Sequence, residues 1–197
     1  MQLACEIYNY YADVDEVWFV PCGDGRGDKS LRTAAIHRLN MMELILKDII
    51  DVSVPIKVKL KIYFVLYQIS DIEIKNNKYL PTWNLLQLLH EQYPNYKFLF
   101  CLGTDLIDSL DEWDNSEQLK NEVNFLILQR PEYNPDSSNF PKNYRVLKTH
   151  TDGSSTKIRN RIQQQIETQN KINLGISGLT TISVINYIMQ NHLYHRD

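Results

Sequence analysis

One six-residue segment combines residue types that bind phosphate. Three hydroxyl residues stand where a loop should pass into a helix, and two cations follow within the first turns: Ser154, Ser155, Thr156, Lys157 and Arg159. A helix N-terminus leaves backbone N–H groups unpaired and carries partial positive charge, so it attracts phosphate. Hydroxyls can cap the helix and bind an oxygen, and a guanidinium matches phosphate geometry. The alternative is an ordinary helix N-cap, because short motifs also match by chance.

A second candidate is the loop at residues 23–29, which is rich in glycine and charge. Arg26 and Lys29 are its candidate contacts for an anion. The glycine spacing fits neither a P-loop nor a dinucleotide-binding fingerprint. A solvated turn is therefore the alternative interpretation of this loop.

A third candidate is Gly103-Thr104-Asp105, which directly follows an apolar run. Glycine allows a ligand to approach the backbone closely, and an aspartate at a strand end can accept hydrogen bonds from ribose hydroxyls. A helix N-cap is the alternative role for Asp105. Trp113, set among carboxylates, offers a face for stacking a flat ring, and a partly buried structural tryptophan is the alternative there.

Metal and nucleophile chemistry have no support in the sequence. The five histidines, at positions 37, 90, 150, 192 and 195, include no pair at metal-ligand spacing and none in a known pattern with a serine or cysteine. His37 and Arg38 open an amphipathic segment and could touch phosphate. The three cysteines form neither a disulfide framework nor a CxxC pair, which is typical of a reducing compartment. We predict no metal held by protein ligands.

The elements that must position these residues alternate between strand and helix. Apolar or β-branched runs predict strands at 17–21, 56–69, 98–102, 124–129 and 146–147. Helical spacing predicts helices at 2–12, 34–49, 81–93, 104–110, 115–121, 155–168 and 179–191, with Pro81 at a first helical position and a loop at 131–143. This order is typical of an α/β fold, a doubly wound, mostly parallel sheet with helices on both faces. Ligands bind such sheets at the carboxyl ends of the strands, where the loops at 22–29 and 103–105 and Arg130 fall.

Bulk properties narrow the class of protein. The chain has 197 residues, 43% of them hydrophobic, and a formal net charge of −3. These values predict one folded domain, with no nucleic acid or membrane partner drawn by overall charge. No apolar run reaches membrane-spanning length and no signal peptide is visible, so we expect a soluble, cytoplasmic protein. Whether it forms a homo-oligomer stays open.

Taken together, the segments resemble the nicotinamide/nicotinate mononucleotide adenylyltransferases of the nucleotidyltransferase superfamily. The resemblance covers nearly the whole chain, and its most specific parts are the Ser-Ser-Thr-x-x-Arg element and the Leu-Gly-x-Asp strand end. The matching segments are Val17-Trp18-Phe19-Val20-Pro21, Lys29-Ser30-Leu31, His37-Arg38-Leu39-Asn40-Met41, Pro81-Thr82-Trp83 with Leu85 and Leu86, Phe100 to Asp105 with Trp113, Gln129-Arg130-Pro131, Ser154 to Arg159, and His192-Leu193-Tyr194.

The resemblance implies a Rossmann-like fold and a reaction in which ATP is a substrate. A phosphate oxygen of the mononucleotide attacks the α-phosphorus of ATP with Mg²⁺, giving a dinucleotide of NAD biosynthesis and pyrophosphate. The resemblance assigns ATP binding to Gly103, Asp105, Arg130, Ser154, Ser155, Thr156 and Arg159. Such a transfer needs positioning and charge neutralisation more than a protein nucleophile.

The mononucleotide roles implied by the resemblance fall on three other residues. Lys29 binds the phosphate, Thr82 lies by the pyridine substituent and Trp113 stacks on the ring. Lys29 and Arg159 are the implied catalytic residues. Two alternatives stay open, a different phosphate acceptor such as phosphopantetheine and a catalytically silent homologue that binds nucleotides. The choice between acid and amide mononucleotide is also open.

One departure from the family pattern concerns the start of the sequence. The family opens with a strand running into Gly-x-Phe-x-Pro-x-His-x-Gly-His, whose histidines contact the ATP phosphates. Here Met1-Gln2-Leu3-Ala4 resembles the helix that follows that motif. We therefore expect a single nucleotidyltransferase domain, N-terminally incomplete, that lacks the first central strand. The 197 residues as printed should then be destabilised and turn over slowly.

Overall fold

The computed structural model of the chain describes residues 7, 11, 13–24, 33–53, 67–76, 78–130, 133–148, 155–167, 176 and 178–194. It contains two compact units, Met1–Tyr79 with Asp152–Asp197, and Leu80–Thr151. Several sequence predictions fall outside the described residues. They are most of the helix at 2–12, the strand at 56–66, Lys29 and Ser154. The expectation of one incomplete domain stays a prediction.

Strands and helices alternate along the described chain. In order they are β1 (Val17–Phe19), α1 (Ala35–Ser53), β2 (Tyr67–Ile69), α2 (Ile72–Lys75), α3 (Thr82–Gln92), β3 (Leu99–Gly103), α4 (Ser116–Glu122), β4 (Asn124–Gln129), β5 (Asn143–Lys148), α5 (Ser155–Glu167) and α6 (Ile182–Gln190), with 3₁₀ turns at Thr104–Leu106, Leu110–Glu112 and Ser137–Asn139. Every described strand pairing is parallel, so the predicted α/β class is confirmed.

The first unit joins a two-stranded parallel sheet to a group of helices. β1 pairs with β2, from Val17 opposite Tyr67 to Phe19 opposite Ile69. The apolar faces of α1, α5 and α6 pack together because their aliphatic residues recur at helical spacing. The buried members of this core are Ile162, Ile176, Val184, Ile185, Ile188 and Leu193.

The second unit is a three-stranded parallel sheet in the order β3-β4-β5, covered by α3, α4 and the 3₁₀ turns. Its central strand β4 is the most buried, since Phe125, Leu126 and Ile127 are 0% exposed. The core around it is completed by Leu86, Leu102, Ile107, Leu110 and Leu119. Gly103 at the end of β3 lies opposite Leu128 of β4, so both strands end at one edge of the sheet.

Three local expectations differ from the structure. The expected helix at 104–110 is instead a 3₁₀ turn at Thr104–Leu106 and the start of a second at Leu110–Glu112. Pro81 is extended and precedes α3, although its carbonyl accepts the first helical hydrogen bond from Leu85. The side chains of β1 are half-buried rather than buried on both faces.

A carboxylate links α1 to the start of α6 within the first unit. Ser183 Oγ donates to Asp48 Oδ1 at 2.7 Å. The hydroxyls of Thr181 and Ser183 hold the pKa of Asp48 below its usual value. Because the folded-state pKa is depressed, the associated stability is present above the unfolded-state pKa and lost as the pH falls through the folded value.

We therefore expect Asp48→Asn to lower the free energy of unfolding near neutral pH by at most about 1 kcal/mol, since the carboxylate is partly solvated. The difference from wild type should shrink as the pH falls below about 4. Urea unfolding of both proteins at a series of pH values measures it. A difference that stays constant over that range would show that the charge of Asp48 is not responsible.

Candidate functional site

Polar residues meet at the carboxyl ends of β3 and β4 in the second unit. The backbone N–H of Arg130 donates to Thr104 Oγ1 at 3.0 Å, which fixes the chain just beyond β4. The Arg130 guanidinium then reaches Asp105, with Nη1 3.3 Å from Oδ2. Sequence reasoning placed Gly103, Asp105 and Arg130 together, and the structure confirms that proximity. Thr104 was part of that candidate segment but was given no role, because nothing in the sequence indicates its partner 26 residues away.

Asp105 is not a helix N-cap, which was the alternative interpretation. It lies inside a 3₁₀ turn, and its carboxylate pairs with Arg130. The second carboxylate oxygen, Oδ1, is buried and accepts no hydrogen bond from the residues that the structure describes. A buried acceptor without a donor is costly, so this oxygen is suited to a hydroxyl supplied by a ligand.

Gly103 leaves the space that this carboxylate occupies. A Cβ atom added to Gly103 would lie 2.3 Å from Asp105 Oδ1 and 3.6 Å from Arg130 Nε. Glycine at the strand end is therefore required by the position of the Asp105 side chain. Its φ of −76° is available to any residue, so contact rather than backbone conformation imposes the requirement.

We expect Gly103→Ala to displace the Asp105 carboxylate while leaving the fold intact, because the clashing atom is the end of a side chain. Ligand affinity at this edge should fall about tenfold, the effect of one hydrogen bond, with a change in Tm of only a few degrees. Titration calorimetry with ATP and thermal unfolding measure the two effects. An unchanged affinity for ATP would show that Gly103 is not part of the binding site. Loss of the folded state would show that Gly103 is needed for the fold instead.

Two residues assigned to a pyridine ring also lie in the second unit. Trp113 is half-buried and contacts Phe100 edge to face, with ring centroids 6.4 Å apart and an interplanar angle of 87°. Thr82 is the first residue of α3, whose first turn has neither an acidic residue nor a side-chain cap. Ring stacking on Trp113 and the role of Thr82 stay predictions.

The start of α5 in the first unit holds the proposed phosphate contacts. The helix begins at Ser155, so the N–H groups of its first turn have no partners within the helix. Arg159, one turn along, folds back so that Nη2 lies 3.0 Å from Thr156 Oγ1. Ser155 and Thr156 are exposed. Hydroxyls, helix amides and a guanidinium are thus presented together, as the sequence predicted.

A second guanidinium, that of Arg38, is occupied by backbone oxygens beyond β1. It donates to the carbonyls of Cys22 and Thr33 and lies 3.3 Å from the carbonyl of Gly23 and 3.4 Å from Asp24 Oδ1. Only 19% of its side chain is exposed. Sequence reasoning considered it a phosphate contact, but its hydrogen bonds indicate that it organises the backbone.

Tyr194 connects these two parts of the first unit. Burial raises the pKa of its hydroxyl, while a hydrogen bond with Thr33 and the charges of Arg159 and Arg38 oppose that rise. Tyr194 has φ 65°, a conformation that non-glycine residues rarely adopt. Both guanidiniums therefore lie near one tyrosine in a strained turn. Apart from the resemblance of the tail, nothing in the residue types indicates this proximity.

The two groups of predicted residues are thus each assembled within their own unit. That they share one crevice stays a prediction, and so do the roles of Lys29 and Ser154. Among the described parts of the chain, no group of three or more histidine, cysteine, aspartate or glutamate residues could hold a metal ion. Nor does any helix there have the length and apolarity needed to cross a membrane.

A family model described as cytidylyltransferase-like matches residues 6–161, which include β1 and the start of α5. The chain belongs to the cytidylyltransferase-like family. The matched range also contains the strand ends of Gly103 and Arg130, so the site described above lies within the family's shared region.

Relatives of this cytidylyltransferase-like chain are named for one activity. A probable nicotinate-nucleotide adenylyltransferase of Oceanobacillus iheyensis is 26% identical over 182 residues, covering 92% of this chain and 82% of the relative. A solved structure of the Plasmodium falciparum nicotinic acid mononucleotide adenylyltransferase complexed with NaAD is 30% identical, with a TM-score of 0.74 over 98% of this chain and 89% of that one. The Rossmann-like nucleotidyltransferase fold is confirmed by that superposition.

Proposed function

We propose that this chain transfers the adenylyl group of ATP to nicotinate mononucleotide, giving nicotinate adenine dinucleotide and pyrophosphate in NAD biosynthesis. The main support is the likeness, over 98% of the chain, to a nicotinic acid mononucleotide adenylyltransferase complexed with NaAD. The relatives named nicotinate-nucleotide adenylyltransferase support the same substrate. The site supplies the residue types that this reaction needs.

In this proposal the second unit holds the adenosine of ATP. The buried Oδ1 of Asp105 accepts a hydrogen bond from a ribose hydroxyl, which replaces the donor that it lacks among the described residues. Arg130 holds the other oxygen, Oδ2, and so orients the carboxylate. Gly103 leaves the space that the Asp105 carboxylate occupies in this orientation.

The start of α5 holds the triphosphate. The first-turn amides, the hydroxyls of Ser155 and Thr156 and the guanidinium of Arg159 bind phosphate oxygens. An oxygen of the mononucleotide phosphate attacks the α-phosphorus, the bond from that phosphorus to the bridging α–β oxygen breaks, and pyrophosphate leaves with the bonding electrons. Arg159 stabilises the negative charge that develops on the transferred and leaving groups. No covalent intermediate with the protein forms.

Mg²⁺ enters the site in this proposal as the counter-ion of ATP. The ion prefers oxygen ligands and usually reaches such sites through substrate phosphates rather than a protein cage. That fits the described residues, in which no cluster of metal-binding side chains occurs. When bound, Mg²⁺ would neutralise phosphate charge.

The acid mononucleotide is the proposed substrate rather than the amide. α3 begins at Thr82, with no acidic residue and no side-chain cap in its first turn. Such an N-terminus favours a carboxylate over a neutral carboxamide by about 0.3–1 kcal/mol, or more when partly buried. The same residue was assigned to the pyridine substituent by the sequence resemblance.

The test is a product assay on the purified protein. ATP with Mg²⁺ and equal concentrations of the acid and amide mononucleotides are supplied together, and the two dinucleotides are separated by chromatography. We expect mainly nicotinate adenine dinucleotide with one pyrophosphate released per dinucleotide. Formation of the amide product alone would contradict the substrate assignment. ATP binding without any dinucleotide would instead support a silent homologue.

A further inference from the structure

Arg130 follows the point where the pairing of β4 with its neighbouring strands ends. β4 pairs with β3 as far as Leu128, opposite Gly103, and with β5 as far as Gln129, opposite Lys148. The main chain of Arg130 therefore lies beyond both ladders. Its N–H and carbonyl groups need hydrogen-bond partners from outside the sheet.

Thr104 supplies one of these partners with its side chain. Its Oγ1 accepts the N–H of Arg130 at 3.0 Å, while the carbonyl of Arg130 accepts the N–H of Tyr133 at 3.2 Å. Thr104 is only 5% exposed. A buried hydroxyl is destabilising unless it is hydrogen-bonded, and valine would have the same shape without that penalty. The bond to Arg130 thus gives the hydroxyl a role that packing does not.

Arg130 is held by two consecutive residues. Thr104 binds its backbone, and Asp105 binds its guanidinium, with Nη1 3.3 Å from Oδ2. The side chains of Arg130 and Asp105 are 49% and 25% exposed. An ion pair with this exposure contributes little by itself, because water competes for both charges. The bond from the buried hydroxyl fixes the point from which the Arg130 side chain reaches Asp105.

The orientation of the Asp105 carboxylate determines where its second oxygen lies. Oδ1 is buried and accepts no hydrogen bond from the described residues. It occupies the space left by Gly103, where an added Cβ atom would be only 2.3 Å away. Hydrogen bonds weaken steeply with angle, so a rotated carboxylate would bind a ligand hydroxyl poorly.

We propose that Thr104 is a positioning residue for the nucleoside of ATP, acting through Arg130 on the Asp105 carboxylate. Its hydroxyl fixes the backbone of Arg130, the guanidinium then holds Oδ2, and Oδ1 is left facing the ligand. The inference rests on the proposed function for the identity of that ligand. Thr104 itself need not touch ATP.

The test compares Thr104→Val, which keeps the shape and removes the hydroxyl, with Thr104→Ser, which keeps the hydroxyl. Ser109→Ala is the matched control, since Ser109 Oγ is also bonded to the backbone nearby, donating to the carbonyl of Leu106 at 3.0 Å, but does not contact Arg130. Calorimetry measures the Kd of ATP, 2′-deoxy-ATP and 3′-deoxy-ATP for each purified protein, and thermal unfolding gives Tm.

For Thr104→Val we expect the Kd of ATP to rise about tenfold, as loss of one orienting hydrogen bond implies. One deoxy analogue lacks the hydroxyl that Asp105 accepts, so it should bind the wild type more weakly than ATP does. The same analogue should bind Thr104→Val no more weakly than it binds the wild type. Thr104→Ser should stay within about threefold of the wild-type Kd for ATP, and Ser109→Ala within about twofold.

A purely structural Thr104 would lower Tm in Thr104→Val without changing the Kd of ATP, and that result would overturn the inference. An equal loss of affinity for ATP and both analogues would overturn it too, because the effect would then not pass through Asp105. If Thr104→Val does not fold, Thr104→Ala is judged by the same criteria, and failure of both to fold would assign Thr104 to stability.

The proposed function fails by different results. A wild type that does not bind ATP would reject it, and the inference with it. A wild type that binds ATP and both deoxy analogues equally would reject the ribose contact of Asp105. Weaker ATP binding in Asp105→Ala, with unchanged binding in Thr104→Val, would reject the inference alone.

Discussion

Arg159→Ala should lower kcat/KM for dinucleotide formation by roughly 10²–10³, the usual effect of removing a charge-stabilising donor. Arg159 lies one turn into α5, with Nη2 held 3.0 Å from Thr156 Oγ1. Its guanidinium is thus presented beside the hydroxyls and amides of the helix start. Most of the loss should appear in kcat, because charge on phosphate oxygens grows as pyrophosphate departs. Steady-state kinetics with ATP·Mg and nicotinate mononucleotide measure it.

The matched control for this prediction is Arg161→Ala. Arg161 is a cation on the same helix, but two positions along and therefore on a different face. Its removal should change kcat/KM by less than about threefold, as expected of an exposed charge. Arg159→Lys should recover part of the lost rate, since it restores the charge without the planar fork. Equal losses of kcat/KM in Arg159→Ala and Arg161→Ala would show that the effect comes from the loss of a positive charge and not from the position of Arg159.

Asp105→Ala should weaken ATP binding by about ten- to a hundredfold, corresponding to the 1.5–3 kcal/mol of a hydrogen bond to a charged group. The protein should lose no stability, because the substitution also removes the buried Oδ1 that lacks a donor among the described residues. Calorimetric titration with ATP and thermal unfolding are the measurements. Weaker ATP binding together with an unchanged or higher Tm is expected if Asp105 binds the ligand and does not stabilise the fold.

Asp111→Ala provides the comparison for Asp105→Ala. Asp111 is also an ion-paired carboxylate of the second unit, with Oδ1 2.8 Å from Lys120 Nζ, but it lies in a different 3₁₀ turn. ATP affinity should remain within about twofold of wild type, as for an exposed ion pair. A large fall in Tm for Asp105→Ala, with ATP affinity preserved, would assign the Asp105–Arg130 pair to stability instead.

Much of the fold could be predicted from local patterns. The apolar run at 124–129 has the bounds of β4, since a strand buried on both faces is nearly uniform in composition. Helices at 34–49 and 155–168 were predicted closely from their apolar spacing. The segment at 104–110 was misjudged, since it contains short 3₁₀ turns rather than a helix.

The candidate site was predictable where a general rule of parallel sheets applied. Gly103, Asp105 and Arg130 were expected together because neighbouring parallel strands end at the same edge. The contacts of Arg38 were not predictable in this way. Its partners are backbone groups 5 and 16 residues distant, and main-chain hydrogen bonding leaves no trace in residue type.

Transfer of label from ATP tests the central claim most directly. ATP labelled at the α-phosphate is incubated with Mg²⁺, nicotinate mononucleotide and the purified protein. The account predicts that the label appears in nicotinate adenine dinucleotide and that the released pyrophosphate is unlabelled. Label that remains in ATP, or passes to another acceptor such as phosphopantetheine in preference to the mononucleotide, would contradict it.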